Sequence, residues 1–191
     1  WIHNARNTDM VIAVDDRSCM HLVRLFNEEQ GWNYLRKQGV REDVLRKLPL
    51  MGISSIGNLL CAVKFAKYYE LTRRDIVLTV WTDSMDLYQS RLREMHETFG
   101  PYGEADAAID YHRFLMAEST AHMQELNYHD RRKIHNLKYF TWIEQQGRDL
   151  AELNAQWYDF PEYWEGIHRQ AEEIDRLIEE FNERSFPAST L

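Results

Sequence analysis

The apolar positions change their period several times along the chain. Residues 10–14 (MVIAV) form a short unbroken apolar run, followed by Asp15-Asp16 and a helix-like stretch from Ser18 to about residue 30. Residues 48–53 are a second short apolar run, and Gly52-Ile53-Ser54-Ser55 supplies a flexible turn whose hydroxyls can accept orphan N–H groups of a following helix. In that helix Ile56, Leu59, Leu60, Val63 and Ala66 recur at helical spacing, through to about Leu71. Arg73, Arg74 and Asp75 end the pattern, and residues 76–81 (IVLTVW) carry the strongest strand signal, near-continuously apolar as befits a strand covered on both faces. Asp83 and Ser84 introduce a further helix, starting near Met85 and running to about Phe99.

Runs 10–14, 50–53 and 76–81, alternating with three helices over short connections, predict parallel strands of one sheet joined by right-handed crossovers. Beyond Gly100-Pro101 strand signals stop and polar-aromatic helical patterns predict helices over 104–126, 130–146, 149–157 and 162–183. In the last, Ile167, Ala171, Ile174, Ile178 and Phe181 form a stripe with the glutamates elsewhere, a face that should pack on something. The expected organisation is an α/β part over 1–99 and an all-α extension over 100–191.

Charge and composition narrow the function classes. The 191 residues carry 31 acids against 23 Lys and Arg, a formal charge of −8, which leaves no electrostatic footprint for nucleic acid. No apolar run approaches the roughly 18 residues of a membrane span, and the first residues carry charges where a signal peptide would be apolar, so the expectation is a soluble, cytoplasmic protein. Cys19 and Cys61 lie in helical patterns without CxxC spacing, and His122, His129 and His135 show no HExxH or HxH spacing, which predicts neither a disulfide framework nor a metal site. The chain opens at Trp1 without an initiator methionine, as a cleaved product, a processed subunit or a truncated chain would.

The stretch from Gly52-Ile53-Ser54-Ser55 through the helix, segment 76–81 and Thr82-Asp83-Ser84 resembles the end of the catalytic fold of fold-type II pyridoxal-phosphate (PLP) enzymes, such as cysteine synthase and cystathionine β-synthase. The opening Trp1-Ile2-His3-Asn4, and the phrases His135-Asn136-Leu137-Lys138-Tyr139 and Trp142-Ile143-Glu144-Gln145-Gln146-Gly147, are similar to the longer subgroup described as PLP-dependent protein subunit beta. The resemblance implies part of a parallel three-layer sheet of the tryptophan synthase β type followed by helices. It also implies pyridoxal 5'-phosphate as cofactor and a lyase or transferase of amino-acid metabolism acting by β-elimination or β-replacement. Ile56 and Thr82 depart from the family's usual glycine and proline. No segment resembles its Schiff-base lysine motif or its Gly-rich phosphate cradle, so no catalytic residue is assigned. The lysine would come from an upstream half or a companion chain in a homo- or hetero-oligomer.

Ser84 matches the family serine that faces the pyridine nitrogen. A neutral hydroxyl there restrains carbanion delocalisation and suits β-elimination. Spacing alone favours Ser84 as the cap of the helix from Met85, and it is the family resemblance that reverses this order. Asp83 is the competing group, and Ser54 and Ser55 either aim a helix N-terminus at an anion or cap it. Lys64 and Lys67 sit mid-helix, where long cations normally solvate an outer face. The contrasting expectation is a non-catalytic interaction or regulatory subunit, favoured by the missing lysine motif and the aromatic-rich, amphipathic second half.

Overall fold

Side-chain caps explain where several of the helices begin. In a computed structural model describing residues 3–185, the Asp15 carboxylate accepts from the Arg17 backbone N–H and opens α1 (Asp16–Asn27). Next come α2 (Glu29–Lys37), the short α3 (Glu42–Leu45) and the long α4 (Ile53–Tyr68). A 3-10 turn (Met85–Tyr88) leads into α5 (Gln89–Phe99), and α6 (Glu104–Asp110) continues as a π-helical stretch (Tyr111–Met116). These elements belong to one compact unit, Val11–Gln124, in which α1 packs on α2, α4 and α6. Leu22, Val23, Leu25, Leu45, Ile56, Leu60 and Met85 are its most deeply buried apolar side chains, each contributing about 1.5–3 kcal/mol of transfer free energy. Gly31 permits the tight α1–α2 approach, because a Cβ there would lie 2.1 Å from the Leu25 carbonyl oxygen.

The second unit combines Trp1–Met10 with Glu125–Leu191. Asn127 accepts from the N–H groups of His129 and Asp130 and opens α7 (Tyr128–Lys138), which continues as a π-helical stretch (Tyr139–Gln145). Asp149 caps α8 (Leu150–Tyr158), followed by α9 (Phe160–His168) and α10 (Ala171–Ser185). Ala5, Leu126, Trp142, Leu153 and Trp157 are buried in this unit. The chain passes between the units along β1 (Met10–Ile12) and β2 (Met123–Glu125), an antiparallel pair.

This architecture corrects the expected fold class. Helix covers 69% of the chain, and the two short strands form an antiparallel pair instead of part of a parallel three-layer sheet. Run 10–14 does supply a strand, but it pairs with residues that had been expected inside a helix. Run 50–53 forms no strand: Leu48–Leu50 makes a 3-10 turn containing Pro49, which has no N–H to donate to a ladder, and the run's last residue starts α4. Segment 76–81 has no regular secondary structure and pairs with no strand among the described residues. A fold-type II PLP domain requires a large parallel sheet, so the family resemblance is overturned with it. The opening residues Trp1 and Ile2 that carried part of it lie outside the described residues.

Apolar period reports which faces want burial, whereas a strand also needs another backbone at the right distance. The helical expectations were locally satisfiable and appear with shifted ends. The expected helix over 104–126 stops at Met116, where β2 takes its tail, and that over 162–183 divides into α9 and α10 around Arg169-Gln170.

Candidate functional site

The residues singled out from the sequence meet at the N-terminus of α4. The Gly52 N–H donates to the Asp83 carbonyl at 2.8 Å, and a Cβ on Gly52 would lie 2.0 Å from an Asp83 carboxylate oxygen, so only glycine admits this approach. Ser55 is buried; its hydroxyl accepts from the Thr82 N–H at 3.1 Å and donates to the Asp83 carbonyl at 3.5 Å. The Tyr88 hydroxyl donates to the Asp83 carboxylate at 2.5 Å, and that bond pushes the Tyr88 phenol above its ordinary pKa. Ser84 accepts from the Asp86 N–H at 3.3 Å and donates to the Asp86 carboxylate at 3.1 Å, capping the turn Met85–Tyr88. Ser54 is exposed and takes no part. Asp83, Ser55 and Ser84 therefore latch the chain onto α4. No strand delivers Ser84 to a sheet edge, the geometry on which its contact with a cofactor was premised.

The latch holds one end of the most unusual surface of the molecule. From Glu70 the chain leaves α4, and residues 76–81 return along it. The Val80 carbonyl accepts from the Asn58 side-chain amide at 2.9 Å. Among the described residues no other backbone group of 76–81 has a hydrogen-bond partner. The side chains are equally unmet: Ile76, Leu78 and Val80 are 85%, 91% and 68% exposed, and Val77 and Trp81 are exposed as well. Beneath the segment lies an open groove of about 410 Å³, lined from α4 by Asn58, Cys61, Ala62 and Phe65 and from β1 by Ile12.

Two polar arrangements in the same unit escaped the sequence. Lys64, expected on an outer face, is buried; its ammonium donates to the Ala13 carbonyl at 2.7 Å and sits 3.7 Å from the Glu118 carboxylate. It lines a cavity of about 540 Å³ shared with Arg17, Arg113 and His122. Lys67, which is exposed, donates to the Met116 and Glu118 carbonyls and ties α4 to the end of the π-helical stretch. Nearby in the fold, His21 Nδ1 lies 2.8 Å from the buried Asp110 carboxylate, which also accepts from the Tyr102 hydroxyl at 2.8 Å. The His21 ring stacks on Phe114 at 4.0 Å between centroids. Burial raises the Asp110 carboxyl above its ordinary pKa, against the opposing hydrogen bonds from Tyr102 and His21. These partners are separated by 89 residues in sequence, so no local motif announces them.

In the other unit His135, placed at a helix end by its spacing, is buried in the last turn of α7 beside Lys138. Burial first, then Lys138 and Arg132, lower its pKa to about 4. Among the described residues no group of three or more His, Cys, Asp or Glu is placed to hold a metal ion, and no helix is long and apolar enough to cross a membrane. The chain matches no protein-family model, and neither a characterised protein nor a solved structure is significantly similar to it.

Proposed function

We propose that this chain is a non-catalytic interaction component whose segment 76–81 enters the sheet of a partner polypeptide as an added strand. The observation that supports it is the unpaired, exposed and apolar state of that segment. In an extended chain alternate side chains point to opposite faces, so Ile76, Leu78 and Val80 would cover one face and Val77 and Trp81 the other. A strand apolar on both sides fits a sheet covered on both sides. Burying each large side chain is worth about 2 kcal/mol, and the free N–H and C=O groups supply a ready ladder.

A second copy of the chain is a poor occupant, because its own sheet has two short strands and offers no apolar cover for both faces. The partner is therefore a polypeptide with a sheet edge and covering layers of its own. The amphipathic α10 offers a second contact, since Ile174, Leu177, Ile178 and Phe181 are all exposed. A cytoplasmic location accompanies this function, with Cys19 and Cys61 kept as free thiols.

The test is the composition of the native particle by intact-mass measurement, together with amide exchange over 76–81. A companion polypeptide, protection of those amides in the particle, and release of the companion by the double change Leu78→Lys and Val80→Lys are expected. The isolated double variant should keep the parent's helical circular dichroism. A particle made of copies of this chain alone, or one unaffected by the double change, would overturn the proposal.

A further inference from the structure

The unit that contains α7 holds a cation that is buried and has no counter-charge among the described residues. Lys138 ends α7 at 8% exposure, and its ammonium donates to the His3 carbonyl and, at 2.8 Å, to the Gln156 side-chain carbonyl. Both acceptors are neutral. Among the described residues no carboxylate forms an ion pair with it. The charged and titratable groups around it are His3, His135 and, one turn further, Arg132; on the far side of Gln156, Tyr163 and Glu152 bond to each other.

An ammonium taken out of water without an anion is destabilised relative to the neutral amine, and burial brings Lys138 down to about 8. The ammonium also lies 5.9 Å from the centre of the Trp142 ring. Trp142 and Lys138 share the wall of a cavity of about 400 Å³ with His3, Ile134, Leu137, Thr141 and Gln146. Besides the lysine, its lining is aliphatic and aromatic with one imidazole, one hydroxyl and one amide, a surface for a small, mainly apolar molecule bearing a polar group. An amine desolvated in such a pocket, beside other bases, is a carbonyl nucleophile.

We propose that Lys138 is a carbonyl-reactive amine that takes a small apolar aldehyde or ketone into this cavity as an imine. The neutral amine's lone pair attacks the carbonyl carbon, the resulting carbinolamine loses water, and a C=N bond replaces the C=O and the two N–H bonds. Thr141 and Gln146 supply the hydroxyl and amide within the cavity for a polar substituent. Segment 76–81 takes no part, so the site stands or falls independently of strand donation.

The test treats the full chain with benzaldehyde at near-neutral pH in the presence of cyanoborohydride, which delivers hydride to the imine and leaves a stable secondary amine, and maps the adduct by peptide mass. Lys138 should be benzylated at least about tenfold faster than the exposed Lys37, Lys47 and Lys133, because its larger neutral fraction, by about a hundredfold or more near neutral pH, outweighs its lower basicity and its burial. The preference should vanish in denaturant. Lys138→Arg should lose the adduct while keeping the parent's circular dichroism. Uniform labelling of all lysines in the folded chain, or slower labelling of Lys138 than of the surface residues, would overturn the assignment.

Discussion

Helix α4 and the segment that follows it are both strongly apolar, yet one is built into the core and the other lies unmet on the surface. Ile56 and Leu60 are fully buried against α1, whereas Ile76 and Leu78, on the return path along the same helix, face solvent. The difference lies in where each backbone finds its hydrogen bonds. A helix satisfies its N–H and C=O groups within the segment, so an apolar stripe is enough to dock it. An extended segment needs a neighbour of matching length, and β1 and β2 have already paired with each other.

Amide exchange puts this contrast on its largest scale. The central amides of α4 should exchange only through global or near-global opening, slowed by about a thousandfold or more, while those of 76–79 in the isolated chain should exchange within about tenfold of an unstructured peptide. Strong protection of 76–79 in the isolated monomer would mean the segment has a partner within its own chain. On the energy scale, Leu60→Ala should cost about 2–5 kcal/mol in urea denaturation, whereas Leu78→Ala should stay within about 0.5 kcal/mol. Equal costs at the two positions would break the comparison.

The buried bases of the other unit sharpen it from the polar side. His135 has an ordinary pKa of 6.5 when unfolded and about 4 when folded, so between these values the unfolded chain binds more protons. The stability that comes from keeping this ring neutral is present above about pH 6.5 and is lost as pH falls toward 4. Between pH 7.5 and 5 the loss is on the order of 2 kcal/mol. Comparing urea midpoints at the two pH values should show it, and His135→Gln should flatten the dependence.

Thiol reactivity carries the smallest effect. Burial, with Asp16 next, pushes the Cys19 thiol up to about 11, while Cys61 lines the open groove beneath segment 76–81. An alkylating reagent should therefore modify Cys61 first in the isolated chain, by several-fold. A sheet-bearing partner seated on the segment should slow that reaction, so the same measurement reports whether the groove is covered.

Much of the helical half of the fold was legible in the chain. The helical stretch after Asp15-Asp16, the stripe from Ile56 to Ala66 and the Asp149 start are local signals, and local hydrogen bonds honour them. The sheet was not legible, because MVIAV, residues 50–53 and IVLTVW announce a wish for burial without naming a partner. The same limit applies to the sites. Gly52, Ser55, Asp83 and Ser84 stood out in sequence and do come together, but as a latch made by backbone carbonyls, a tyrosine hydroxyl and a cap. The phrase around His135 and Lys138 stood out too, without any sign that both are buried.

The sequence by itself determined which segments can satisfy their own backbones as helices, roughly where those helices lie, and that residues 76–81 are apolar almost without interruption. Those properties depend on neighbours within one or two turns. Tertiary structure alone decided that β1 pairs with β2, that Lys64 and Lys138 are drawn inside, and that His21 meets Asp110 across 89 residues of chain. Each of these depends on which distant backbone or side chain occupies the adjoining volume. That is a competition among long-range contacts, in which loop-closure entropy and desolvation outweigh any local preference.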